Sequence, residues 1–195
     1  MPNPRAGRQM RYIPAKIQHR DDGGEPVIAC YFAVFNSPTE LWPGCIEQIA
    51  PGAFSSSLGG DVRALVDHET RLVLGRTTAA TLTLREDESG LYGEIKINPN
   101  DSDAMNLYAR VQRGDVSQCS FGFEIVSEDY IVGSDGQTCT WTIHDLILYE
   151  VSVVTFPAYE ATSAYARDSG DMASLRTARL NRRRQELLER INKLC

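Results

Sequence analysis

Apolar and polar residues alternate through residues 116–125, with Cys119, Phe121, Phe123 and Ile125 on one face and Gln118, Ser120, Gly122 and Glu124 on the other. That period of two predicts a half-buried strand. Residues 27–35 form a nearly continuous apolar run rich in β-formers, which predicts a buried strand ended by Asn36, Ser37 and Pro38. Further strands are predicted over 62–68, 72–77, 81–85, 90–98, 138–143 and 146–156, and residues 86–90 have the composition of a hairpin loop. Nearer the start, proline and glycine bracket one strand over 11–18, and Pro14 inside it predicts a sheet edge. Pro51 opens one or two helical turns that reach Leu58. A helix is predicted over Ser102–Arg113, with Ala104, Met105, Tyr108 and Val111 as its apolar stripe. Asp101 or Ser102 caps its start and Gly114 stops it. Many short strands, few helices and frequent turns predict a mainly β fold, an antiparallel barrel or sandwich with helical inserts.

Composition narrows the class. A chain of 195 residues, 42% hydrophobic and 24% charged, suits one globular domain with an appendage. No apolar run approaches the roughly 20 residues that span a bilayer, and the opening residues carry no apolar signal region, so neither a membrane span nor export is expected. The five cysteines (Cys30, Cys45, Cys119, Cys139, Cys195) lack Cys-x-x-Cys spacing and predict free thiols in a reducing compartment. With three scattered histidines they also argue against a metal cluster. Three segments follow: 1–26 with one strand, a β-rich body over 27–166, and a linker with a basic helix over 167–195.

The last segment holds eight basic residues against four acids, whereas the whole chain is −6, so the body is acidic and a poor partner for nucleic acid. Leu180, Leu187 and Leu194 recur seven apart in it, with Arg184 interrupting the seam. A helix that docks on an acidic partner or packs on the body fits this pattern.

Three residues carry candidate chemistry. Ser120 lies opposite the apolar anchor of its strand, and Gly122 leaves its hydroxyl uncrowded, which suits a nucleophile; the blander reading is a solvent-facing serine. His68 ends the predicted strand 62–68 on the face of Val62, Ala64 and Val66. There it reads as an oriented general base or as a core histidine with one hydrogen bond. Glu150 interrupts an apolar strand, where a carboxylate is costly unless paired. Its partner is either an arginine such as Arg63 or Arg76, or a histidine that it orients as the acid of a catalytic triad does.

Seven blocks carry a resemblance: "YFAVFNSP", "IAPGAFSSSL", "DVRALVDHE", "LVLGRT", "LREDESGLYGEIKI", "VQRGDVSQCSFGFEI" and "LYEVSVVTFPAYEATSA". In this order, over about residues 27–164, the chain resembles the prohead serine proteases of tailed bacteriophages. The resemblance implies a closed antiparallel β-barrel surrounded by a few helices, similar to the herpesvirus assemblins. It implies a serine endopeptidase that cleaves the major capsid protein and its scaffold segment inside the immature shell, in the host-cell cytoplasm, and digests itself. Those proteins, and a second copy of the chain, are the implied partners; no cofactor, metal or membrane is implied. The family's serine motif matches at Ser120 and its histidine motif at His68. The third member is placed at Glu150 in the "YEVS" block, with His144, in the same strand phase, as runner-up because assemblins use a second histidine. Cys119 stands where methionine is more usual and points to the core side. The loop bearing Arg110, Arg113 and Gly114 is the expected source of oxyanion-binding N–H groups. Two other classes remain: a catalytically silent scaffold or shell-binding protein of the same fold, and an adaptor acting through its basic tail. The presence of both His68 and Ser120 favours the enzyme.

Overall fold

The apolar run at 27–35 becomes β3 (Pro26–Val34), buried along nearly its whole length in a computed structural model that describes residues 5, 7–14, 17–21 and 25–156. The expected tail helix lies outside the described residues. Around β3 forms a four-stranded antiparallel sheet in the order β2-β3-β9-β8, with β2 (Gln18–Asp21), β8 (Leu82–Glu86) and β9 (Gly90–Lys96). Gly90 is required where β9 meets β3, because a Cβ there would run into the Ala33 carbonyl.

The second sheet has seven strands. Its path runs from β1 (Arg8–Pro14) through β10 (Gln118–Val132) and β11 (Cys139–Val154) to β5 (Cys45–Ile49) and β4 (Thr39–Trp42). The hairpin of β6 (Arg63–Val66) and β7 (Glu69–Arg76) attaches to the later half of β11. Where one strand was expected over 11–18 there are two, β1 and β2, in different sheets, and Pro14 ends an edge strand as its missing N–H requires.

The fold is mainly β with one α-helix among the described residues, α1 (Ser102–Arg113). Asp101 accepts the N–H groups of Asp103 and Ala104, and Gly114 closes the helix in the left-handed region, as predicted. Two expectations differ. No sheet closes into a barrel, since β1 and β4 remain edges of the large sheet. Nor is the sheet wholly antiparallel: β11 runs parallel to β5 through residues 139–143 and to β6 through residues 150–153.

Residues 51–58 form successive four-residue turns rather than a helix. The reason is competition for the backbone. The Phe54 N–H donates to the Glu86 carboxylate at 3.0 Å, and the Ala53 carbonyl accepts from Leu146 N–H. The segment carries Phe54, wholly buried, between Phe35 and Phe121 at centroid distances of 6.2 and 5.5 Å. Phe121 stacks in turn on Phe123 at 4.9 Å. The core lies between the sheets, with Ile28 and Phe32 facing Cys119, Phe121, Val151 and Val153.

The parallel register sets Cys45 opposite Cys139, and the two form a disulfide across 94 residues of sequence. The expectation of free thiols is thus corrected for this pair. No sequence spacing announces it, because sheet register makes it. Cys30 and Cys119 are free and buried.

Phe54→Ala is expected to destabilise the fold by about 3–5 kcal/mol through loss of a fully buried ring, measured by urea denaturation.

Candidate active site

In a continuing strand, His68 would fall with Val62, Ala64 and Val66, all of which are buried in the core. Instead β6 ends at Val66, which pairs with Glu69, so Asp67 and His68 are the two central residues of a tight hairpin turn. Both adopt positive φ, 47° and 61°, as a twisted two-residue hairpin of the I′ kind requires. Asp and His tolerate that region better than most side chains. Asp67 pins the turn to the end of β11: its carboxylate accepts Thr155 N–H at 2.7 Å and Thr155 Oγ1 at 3.0 Å, and its N–H donates to Val153 O at 3.0 Å. The turn thereby delivers the imidazole to the sheet face opposite the core, correcting the face read from alternation.

There His68 Nδ1 lies 2.7 Å from Glu150 Oε1. Glu150 is 2% exposed and reaches this position beside a bulge. Gly122 pairs with Glu150 but Phe123 pairs with Leu148, which leaves Tyr149 as the extra residue. Gly122 itself makes room: a Cβ there would overlap Glu150 Oε1 and lie 3.1 Å from its Cδ. The space that Gly122 was expected to leave beside the hydroxyl is filled by the carboxylate. The other carboxylate oxygen, Oε2, accepts a hydrogen bond from Ser152 Oγ at 2.6 Å. The arginines weighed as partners of Glu150 are engaged elsewhere: Arg63 and Arg76 both pair with Asp61. A hydrogen bond from Arg76 leads the causes that hold Asp61 down to about 2.

Ser120 is central in the large sheet, paired with Tyr12 of β1 on one side and Ser152 of β11 on the other. It is wholly buried rather than solvent-facing, and its hydroxyl donates to Arg11 O at 2.8 Å. His68 contacts both Ser120 and Ser152. His68 Nε2 is buried with no hydrogen-bond partner among the described residues. Tyr12 packs edge-on against His68 at 5.4 Å. Burial, and then the charges of Glu150 and Asp67, push the Tyr12 phenol up. The arrangement thus sets two buried serines beside a histidine whose Nδ1 is held by a buried carboxylate.

His144 stands apart. It is the extra residue of a second bulge, roughly 15–20 Å back along β11 at the rise of a strand. Its Nε2 lies 2.9 Å from Asp129 Oδ2 on the surface. The loop after α1 also differs from expectation. The N–H groups of Gly114, Asp115 and Val116 donate to carbonyls of Arg110 and Val111, and Arg113 pairs with Asp115. These amides close the helix and are not directed at Ser120. Among the described residues no three His, Cys, Asp or Glu side chains gather as metal ligands.

The strand beside Ser120 is anchored by a buried ion cluster that sequence reasoning missed. Glu47 of β5, 3% exposed, binds Arg11 of β1 through two hydrogen bonds, one of 2.8 Å from Nη2, and also binds Arg5. Arg5 further pairs with Glu128 and lies over the Trp141 ring at 4.9 Å. Burial alone would raise the Glu47 carboxyl, but the charges and hydrogen bonds of Arg11 and then Arg5 outweigh it and hold it below the ordinary value. The only sequence signal was polar residues in short strands beside apolar ones.

The family model described as caudovirus prohead serine protease matches residues 14–174. The prohead protease of Enterobacteria phage HK97 is 31% identical over 172 residues, which span 86% of this chain and 72% of that protein. Among solved structures, the capsid assembly protease of bacteriophage T4 superposes with a TM-score of 0.50 over 77% of this chain and 98% of its own, at 8% identity. That last likeness is one of fold.

The Glu47 cluster predicts a pH signature. A carboxyl lowered on folding contributes stability that is present above its unfolded pKa of about 4.3 and lost as pH falls through the folded value. Glu47→Gln, which leaves two buried guanidinium groups facing a neutral amide, is expected to cost about 3–5 kcal/mol at pH 7. The gap to the parent chain should narrow below about pH 4, measured by denaturation at both pH values.

Proposed function

The chain belongs to the caudovirus prohead serine protease family, and we propose that it performs capsid maturation with Ser120 as nucleophile, His68 as general base and Glu150 as the acid that orients His68. One observation supports this assignment above the others: His68 Nδ1 is held 2.7 Å from a buried carboxylate while its Nε2 is unbonded among the described residues and the residue touches Ser120. An imidazole held at one nitrogen and open at the other is what proton transfer from a serine hydroxyl needs.

The steps follow from the positions. Rotation about the Ser120 Cα–Cβ bond moves Oγ from the Arg11 carbonyl towards His68 Nε2. His68 takes the proton as Oγ attacks the scissile carbonyl, and the imidazolium is stabilised by Glu150. His68 then gives the proton to the leaving amine, and water hydrolyses the acyl-enzyme by the same route in reverse. The substrates proposed are the capsid protein and its scaffold segment within the immature shell, in keeping with the relatives' names. A catalytically silent shell protein of the same fold is the weaker reading, because it leaves the buried His68–Glu150 pair without a purpose.

Co-expression with the cognate capsid protein tests the assignment. Ser120→Ala and His68→Ala are each expected to abolish cleavage and labelling by a fluorophosphonate; Ser120→Ala should melt close to the parent chain, whereas His68→Ala, which takes a partner from the buried Glu150 carboxylate, should melt lower while still folding. Glu150→Gln should lower kcat on the order of a hundredfold to ten-thousandfold, whereas His144→Ala should cleave at the parent rate. Normal processing by Ser120→Ala would overturn the nucleophile; loss with His144→Ala but not Glu150→Gln would move the third role.

A further inference from the structure

We propose that Ser152 is a positioning residue of this site: its hydroxyl fixes the Glu150 carboxylate in the orientation that holds His68. The inference rests on the roles of His68 and Glu150 proposed above and adds a residue to them. Ser152 is wholly buried, and Oγ donates to Glu150 Oε2 at 2.6 Å while Oε1 of the same carboxylate takes His68 Nδ1 at 2.7 Å. The two contacts use the two carboxylate oxygens and remove its freedom to turn about its terminal bond.

The need for such a donor follows from burial. A carboxylate shut away from water loses the hydrogen bonds that stabilise its charge, and each must be replaced by the protein. His68 Nδ1 supplies one. Ser152, two residues along the same strand and therefore on the same face, supplies another. The residue there must also be small, since it sits directly opposite Ser120 in the sheet with His68 against both. A hydroxyl on a two-atom side chain meets both demands; alanine meets only the second.

Ser152 also touches His68, so its role must be told apart from that of nucleophile. The hydrogen bonds separate them. The Ser152 proton is already given to a carboxylate, whereas the Ser120 proton is given to a backbone carbonyl that cannot accept it outright.

The test compares Ser152→Ala, Ser152→Cys and Ser152→Thr in the full-length protein, by peptide-cleavage kinetics, fluorophosphonate labelling and the downfield NMR resonance of the His68 Nδ1 proton. The alanine variant should lower kcat about ten- to a hundredfold, as expected for one hydrogen bond to a charged group, with KM unchanged. Its Nδ1 proton signal should shift upfield or broaden. The cysteine variant keeps the volume with a weak donor and should behave like alanine, which covers the case of an alanine variant too unstable to assay. The threonine variant keeps the hydroxyl but adds a methyl where space is short, so its resonance should lie nearer the parent position than that of the alanine variant.

Parent kcat in the alanine or cysteine variant would overturn the proposal. So would a fall in kcat with the resonance unmoved, which would make the residue merely structural. If Ser120→Ala loses the label while Ser152→Ala matches the parent throughout, this inference alone fails. If Ser152→Ala loses the label and Ser120→Ala keeps it, Ser152 is the nucleophile and the reading of Ser120 fails with it.

Discussion

A carboxylate taken out of water governs the arrangement of this molecule. Glu150 is 2% exposed at the start of the wholly buried end of β11, and an ion in such a place is tolerated only when its charge and lone pairs are met. Each unusual feature nearby answers that demand. A glycine across the strand pair leaves space for the carboxylate, a bulge at Tyr149 sets the strand phase, and a left-handed turn brings an imidazole to one oxygen while a serine meets the other. Remove the charge and the positive-φ turn, the missing Cβ and the bulge have no evident reason to coincide.

The same face shows a division between committed and uncommitted groups. Glu150, Ser152 and Asp67 have their hydrogen bonds filled, and Asp67 anchors its hairpin to the end of β11. Ser120 is held by a single bond to a main-chain carbonyl and His68 Nε2 by none among the described residues. Rigid support around two less constrained groups accords with the proton transfer proposed above for Ser120 and His68. The strand whose carbonyl receives the Ser120 proton is itself tied down by Arg11 on Glu47, so the resting geometry of the hydroxyl depends on a salt bridge on the other side of the sheet.

What could be read in advance divides along a physical line. Features set by local chemistry were legible: the apolar run of β3, the capped helix α1, the glycine stop at Gly114, and Cys119 on the core side of its strand. The seven blocks led to the family, and the histidine, serine and glutamate singled out do meet in space. Features set by pairing between distant strands were not legible. The face of His68 was misread because alternation assumes a strand where two left-handed residues make a turn. Pro51 began turns rather than a helix because Glu86, more than thirty residues away, captured an amide. The disulfide and the two bulges exist only in the register of β11 with its neighbours, and Ser152 looked like any small residue in a buried strand.

The position of β11 has a consequence for how the chain comes into being. This strand is the last described element, yet it is the neighbour of β5, β6 and β10 together and carries Glu150 and Ser152. A chain emerging from the ribosome holds its histidine and serine early but cannot close the sheet between them until residue 154 is free. High contact order of this kind makes folding slow, because long loops must close before pairing repays them. Any fragment released before that point is a set of strands without a carboxylate at its centre.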